Sequence, residues 1–462
     1  MKEYLTVEEV YDIICKSSEL GTLGFFIGSG FSKAVAGDHA YNWKDLLREC
    51  CKKMNVDEGI LEKNESLPEI ASHICETYDK NPIDNMNGKK KIKHEISQLT
   101  DIPKATLSSG GSIPNNQINA SILRYRDTLE NIDINWVITT NYDTLLEKIL
   151  YERAISLGPY ENFTKINNLI PIYHMHGIRT IPESLIITNE DYVSLFRPNN
   201  YRQSRLPFLI KESTSVFLGY SLSDINVLTA VDWCKNVYVS ENGFIENEMI
   251  QILWRKTGRR TRPYKLSGII ILEIDNILTF LEGLKEYYVK NKERIEEKIE
   301  KVKQLNQNFV LSEESDIRDF RDNTKRKEII DQIAKLDSEF KFIYPSYVNF
   351  LTAVVQITNE KSEIRKNFKE YDIKLEILLD NLEYINVKDM PPFFIEYLVD
   401  SLNEVSVYID LDIDKVMMYG TAWNASRIWN RRKDSIKWDA EELKKQIYSK
   451  KNTDLKRILG WK

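Results

Sequence analysis

The sequence predicts a doubly wound, mainly parallel α/β sheet with a helical insertion over about residues 43–130, followed by an α-helical domain. Short apolar runs rich in β-branched residues stop abruptly at Gly, Asn, His or Ser, as buried parallel strands do at their carboxyl ends. Segments with helical spacing separate these runs. From about Leu284 the strand pattern gives way to amphipathic helices with a charged opposite face, and no proline occurs between Pro263 and Pro345. The expected division is residues 1–284 for the sheet domain and 285–462 for the helical one.

Taken in order, Thr6-Val7-Glu8-Glu9 has capping-box spacing and opens a helix with Val10, Ile13 and Ile14 on one face. Leu23 to Ile27 reads as a buried strand running into Gly28-Ser29-Gly30-Phe31-Ser32-Lys33. Two glycines there permit a tight turn and close backbone approach to a ligand, and a helix starting after them would aim amide groups at an anion. The spacing is not a full dinucleotide fingerprint, since Lys33 stands where a third glycine belongs. More than a hundred residues then precede the next strand. Trp43 to Met54, Leu67 to Tyr78, Lys89 to Leu99 and Gln117 to Leu129 have helical patterning, and Ser108 to Pro114 has the composition of a flexible loop. This module is expected beside the glycine turn as a lid. Further strands are expected before Asn141, before His176-Gly177, before Gly219, over Met249 to Trp254 and over Gly268 to Ile274.

Composition narrows the class of protein. Of 462 residues, 42% are hydrophobic and 29% charged, which allows a sizeable core and argues against wholesale disorder. A net charge of −6 disfavours a surface that coats nucleic acid. The apolar runs are too short for a signal peptide or membrane span, so a soluble cytoplasmic protein with no membrane partner is expected. The five cysteines, Cys15, Cys50, Cys51, Cys75 and Cys234, form no Cys-x-x-Cys pair, so neither a zinc ribbon nor a disulfide framework is expected.

Polar clusters end four of the expected strands: Gly28/Ser29/Gly30/Ser32, Asn141/Asp143, His176 and Gly219/Ser221. Each has an ordinary alternative; Asp143 or Thr144, for instance, can simply cap the helix carrying Leu145, Leu146 and Ile149. In a parallel sheet, however, the carboxyl ends share one edge, where ligands bind, so the four clusters can converge on one crevice.

Their order and wording resemble the sirtuin superfamily, whose fold is Rossmann-like. Phe26 to Ser32 is similar to its Gly-Ala-Gly-x-Ser turn, Thr140-Asn141-Tyr142-Asp143 to its Gln-Asn-Ile-Asp motif, and His176-Gly177 to its His-Gly pair. The Leu218-to-Asp224 run and Thr188 to Tyr192 look more like the sirtuin-like proteins of prokaryotic anti-phage defence than the protein deacylases. The resemblance implies NAD as substrate. Gly28, Ser29, Gly30, Phe31 and Ser32 would hold pyrophosphate and nearby ribose, and Asp143 the nicotinamide carboxamide. Asn141 would orient ribose and water, and His176 would be the general base. Gly219 and Ser221 would face the adenosine ribose, and Asp275 the adenine.

The departures from that family shape the expectation. The four-cysteine zinc module of the deacylases is absent, so no zinc is expected, and hydrolysis of NAD fits better than transfer to a lysine. The resemblance thus implies a regulated NAD hydrolase that depletes NAD in anti-phage defence. Its activating partner or signal would be an ATPase, an Argonaute, a phage protein or a nucleotide messenger. The helical domain would serve regulation or homo-oligomer assembly. The alternatives are a non-catalytic sensor subunit that binds NAD, ADP-ribose or nucleic acid, and an NAD-dependent deacylase. His174, two residues before His176, could pair with it on a metal, but lacks neighbouring ligands in the sequence, and a core or supporting role is preferred. The basic run Arg255–Arg262 could grip phosphate or nucleic acid, with a solvated loop as the preferred reading. Arg427–Lys433, containing Trp429 and flanked by Trp423 and Trp438, has the aromatic interleaving of a nucleic-acid or protein contact, and a helix face packing its tryptophans inward explains the same residues.

Overall fold

A computed structural model describes residues 5–102, 117–158, 161, 168–195, 201–220, 229, 231–232, 234, 247–255, 257–323, 325–365, 369–409, 423–449 and 452–461. Ser221, the Ser108-to-Pro114 segment and Lys256 lie outside the described residues. The chain divides into two compact units; among the described residues the first ends at Glu296 and the second begins at Glu297.

The first unit is built on an eight-stranded sheet. Its strands are β1 (Leu23–Ile27), β2 (Trp136–Thr139), β3 (Ala154–Leu157), β4 (Ile170–His174), β5 (Thr214–Leu218), β6 (Met249–Trp254), β7 (Tyr264–Leu266) and β8 (Ile269–Ile274). The spatial order is β3-β4-β2-β1-β5-β6-β8-β7. Every neighbouring pair is parallel except β7 and β8. The expected α/β fold is therefore the one observed, a Rossmann-like, doubly wound sheet. β1, β4 and β5 are buried along their whole length, which explains why they read as continuous apolar runs rather than alternating ones. Phe26 of β1 stacks on Phe217 of β5 with ring centroids 4.7 Å apart.

β3 and β7 have no counterpart in the sequence reading. Both are edge strands of three or four residues with partly exposed side chains, too short to leave an alternating pattern. β4 stops at His174, so His176 stands in the turn beyond the strand.

Helix α1 (Val7–Glu19) precedes β1 and carries the capping box, in which Thr6 and Glu9 satisfy each other's backbone amides. Helix α2 (Ser29–Ala36) follows β1. The insertion between β1 and β2 contains α3 (Trp43–Met54), α4 (Leu67–Lys80), α5 (Gly88–Leu99) and α6 (Gln117–Leu129). Its apolar faces enclose Leu185 and Ile187 from the segment after β4, so that segment is core rather than sheet. Ion pairs from Lys89 and Lys93 of α5 to Asp191 fasten the two together. Helices α7 (Leu145–Leu150), α8 (Asn189–Leu195) and α9 (Tyr201–Lys211) complete the crossovers described.

Helix α10 (Ile277–Leu311) runs from the end of the sheet through position 284, and the two units divide within it. The second unit continues with α11 (Glu314–Arg321), α12 (Arg326–Ala334), α13 (Tyr344–Arg365), α14 (Lys369–Tyr384), α15 (Pro392–Ser406), α16 (Trp423–Arg432), α17 (Glu441–Ser449) and α18 (Thr453–Leu459). No strand occurs among its described residues. Among the described residues of the whole chain, no helix is long and apolar enough to cross a membrane.

Candidate functional site

The chain proceeds from β1 to one side of the sheet, through β2, β3 and β4, and returns to the other side at β5. β1 and β5 therefore flank the topological switch point, the place where open α/β sheets form a crevice at their carboxyl ends. Two glycine segments meet there. Gly28 donates its amide to the Leu218 carbonyl at 3.1 Å, and Gly30 donates to the Gly219 carbonyl at 3.0 Å. A Cβ on Gly28 would stand 2.5 Å from the Gly219 oxygen, and one on Gly219, whose φ is +62°, would stand 2.2 Å from the Phe31 nitrogen. Only glycine allows the two turns to touch. Helix α2 begins at once, with Gly28 as its N-cap and no side-chain cap.

On the other side of β1, the Thr139 hydroxyl at the end of β2 donates to the Ile27 carbonyl and accepts the Asn141 amide, both within 3.0 Å. This ties the Asn141 loop to the glycine turn. Asn141 Nδ2 then donates to Ser32 Oγ at 2.9 Å, and Ser32 Oγ donates to Asp143 Oδ2 at 2.8 Å. Asp143 Oδ1 accepts the Leu145 amide, so the carboxylate also closes the start of α7, the capping role that the sequence allowed. Burial pushes the Asp143 carboxyl above the usual carboxylate range, against the opposing hydrogen bonds from the Leu145 amide and the Ser32 hydroxyl.

His176 is buried, its Nδ1 3.4 Å from the Tyr192 hydroxyl, and Tyr192 meets it edge-on with centroids 5.2 Å apart. Trp43 of α3 stacks on the other side of Tyr192. The Trp43 indole nitrogen is buried without a hydrogen-bond partner among the described residues. His174 does not share the cavity with His176. Its Nδ1 lies 3.2 Å from the Asn141 carbonyl oxygen and its Nε2 2.7 Å from Glu147 Oε1. Among the described residues no group of three or more His, Cys, Asp or Glu side chains is arranged to hold a metal ion.

These groups surround one cavity of about 860 Å³, within the size range of small-molecule sites. Gly28, Ser29, Gly30, Asn141, Asp143, His176 and Gly219 all line it. Phe31 and Ser32 do not; Ser32 lies behind the wall and links Asn141 to Asp143, while Phe31 is buried against Tyr125. Asp275 is elsewhere, exposed and paired with Arg259 at 3.2 Å. The sequence reading overlooked the insertion's share of the wall: Tyr41, Trp43 and Leu46, then Ser66, Leu67 and Pro68 at the start of α4, and Thr100 after α5. A visible signal existed, since Tyr41 and Trp43 are large aromatics at the entrance to the insertion, but nothing in local spacing aims them at β1. The basic run after β6 is also accounted for: Arg255 pairs with Glu273, and Arg260 covers the Tyr264 ring.

A parallel sheet with paired glycine turns at its switch point, an Asn/Asp loop on the next strand and a histidine just past the following one defines a Rossmann-like ligand-binding protein. Residues 135–245 match the family described as SIR2-like domain. It is 27% identical over 227 residues to an NAD(+) hydrolase ThsA of Acinetobacter baumannii (strain 532279), covering 47% of this chain and 40% of that protein. It is 24% identical over 303 residues to an NAD(+) hydrolase ThsA of Enterococcus faecium, covering 59% and 57%. A protein named defense-associated sirtuin 2 from Bacillus subtilis is 22% identical over 239 residues, covering 50% and 21%. The chain thus spans less than two thirds of the length of these curated relatives.

Proposed function

We propose that this protein hydrolyses NAD at the nicotinamide–ribose bond, giving nicotinamide and ADP-ribose, and acts as a regulated NAD-depleting effector in anti-phage defence. The observation that carries the proposal is the convergence of the Asn141–Ser32–Asp143 chain and His176 on one cavity at the sheet's switch point. The similarity to proteins named NAD(+) hydrolase supports the same chemistry.

In this reading the glycine turn and the start of α2 receive the pyrophosphate, where backbone amides and the helix dipole favour an anion. Asn141 donates one amide hydrogen to Ser32, an anchor that leaves its own amide oxygen for a water. Each Asp143 oxygen already accepts one hydrogen bond and retains a lone pair for the carboxamide. The water oxygen bonds to the ribose carbon as the carbon–nitrogen bond breaks. The bonding pair leaves on the nicotinamide nitrogen, and the water's proton passes to His176 and then to solvent. Tyr192 and Trp43 supply an aromatic wall suited to a planar ring. Gly219 borders the adenosine side. Control is assigned to the helical unit, through a protein partner, a nucleotide messenger or self-assembly, in a cytoplasmic setting.

The test is to incubate the purified protein with NAD, alone and with candidate partners, and follow nicotinamide. Release that is lost in Asn141→Ala and His176→Ala supports the proposal. Equal release by wild type and both variants would sink it, as would ligand-dependent stabilisation without product, the outcome expected of a sensor subunit.

A further inference from the structure

Behind the cavity wall, outside its lining, lies an ion pair between a fully buried histidine and a half-buried glutamate. His174 is fully buried at the end of β4, and Glu147 lies in the first turn of α7. The histidine lies between two acceptors. Its Nδ1 faces the main-chain oxygen of Asn141 at 3.2 Å, and its Nε2 faces Glu147 Oε1 at 2.7 Å. A carbonyl oxygen can only accept, so Nδ1 must carry a hydrogen. The proton between Nε2 and the carboxylate can sit on either partner without disturbing that bond. Burial alone would push the Glu147 carboxyl up, yet the hydrogen bond and charge of His174, with the Ser156 hydroxyl, hold it below the usual range.

The pair spans the loop that carries Asn141. His174 sits beside Thr139 in the parallel register of β2 and β4, and reaches from the Asn141 carbonyl to the helix four residues past Asp143. Asn141 is held at its amide by Thr139 and at its side chain by Ser32. The His174 bond fixes the remaining polar group of that residue, its carbonyl.

We infer that the His174–Glu147 pair is a positioning device that fixes the Asn141 peptide, and through it the orientation of the Asn141 amide toward the reacting water. The inference rests on the reading of Asn141 proposed above. It makes His174 a positioning residue that never touches substrate.

Two substitutions separate positioning from simple support. In His174→Asn the amide nitrogen falls near the Nδ1 position, keeping the donor to Asn141 but abandoning Glu147. In His174→Gln it falls near Nε2, keeping Glu147 but abandoning Asn141. The expectation is crossed. The Asn variant melts earlier but keeps kcat within a few-fold. The Gln variant is the more stable of the two, yet its kcat falls by about 10²-fold, with KM for NAD little changed, as expected when a reacting group is misplaced. Amide exchange across residues 139–146, read by mass spectrometry on the full chain, rises in the Gln variant and stays near wild type in the Asn variant. That readout needs no turnover. Equal exchange in the two variants, or a kcat that simply follows melting temperature, overturns the inference. An Asn141→Ala protein with wild-type turnover would instead defeat the site reading, and the exchange pattern would still judge the His174 contact.

Discussion

The two units treat buried polar side chains differently. In the sheet unit, Asn141, Asp143 and His176 are tied to protein on one side and border an 860 Å³ cavity on the other. In the helical unit the buried charges close on one another. Arg326, 1% exposed, donates to Asp380 at 2.6 Å and to the Arg321 carbonyl, and Asp380 also accepts from Arg432 at 2.7 Å. Arg321 pairs with Glu370, and Tyr347 donates to Asn381, whose own amide reaches the Ile377 carbonyl. A closed network has no capacity left for a ligand and specifies how helices pack. An open one keeps capacity for chemistry. The lesson is that polarity and burial do not mark a site; the side left facing space does.

The comparison predicts that substitutions divide cleanly between activity and stability. The largest effect is on the open side: His176→Ala should lower NAD turnover by about 10²–10⁴-fold, the usual worth of a positioned base, with a melting temperature near that of wild type. A large loss of stability there would erase the distinction. On the closed side, Asp380→Ala removes the carboxylate shared by Arg326 and Arg432, leaves buried Arg326 with weaker partners, and should destabilise the protein by about 3 kcal/mol in chemical denaturation. Little change would show that the network is not structural.

A smaller effect tests Asp372 of the helical unit, a carboxylate with one oxygen left open. Burial pushes Asp372 up to about 6, only partly opposed by Asn424 and the Ala425 amide, and its Oδ1 has no partner among the described residues. A raised folded-state value means that its contribution to stability is fully present below the ordinary value of 3.8 and is lost as pH rises through about 6. Asp372→Asn should therefore gain stability over wild type above that pH, by about 1–2 kcal/mol after solvent screening, and show no gain near pH 4. Denaturation curves at both pH values decide it. The smallest effect is expected for Tyr192→Phe. At 3.4 Å its hydroxyl holds His176 weakly, and the ring stays to pack on Trp43, so turnover should drop only a few-fold.

The tryptophans of the basic Arg427–Lys433 region illustrate how much depends on the third dimension. Trp429 is fully buried and packs on buried Trp438 with centroids 5.4 Å apart, so neither ring is available to stack on a base. The sequence left helix packing and nucleic-acid contact as equal explanations, because aromatic spacing is the same for both. Arg432 is likewise occupied, by Asp380 and Glu383.

By itself the sequence determined the alternation of strands and helices, the glycine turn after β1 and the polar residues that end β2 and follow β4. These are short-range features: apolar runs, breakers and caps follow from backbone sterics and from the need to hide strands buried on both faces. Only the tertiary structure decided which of those residues share a cavity, that Ser32 stands behind Asn141 and Asp143 rather than in the cavity wall, and that Asp275 stands apart. It also decided that the segment between β1 and β2 brings Tyr41 and Trp43 to the cavity wall, and that one histidine of the His174/His176 pair contacts the Asn141 loop while the other borders the cavity. The physical reason is that strand pairing across the switch point, between β1 and residues nearly two hundred positions later, is a long-range contact. No local spacing along the chain encodes it.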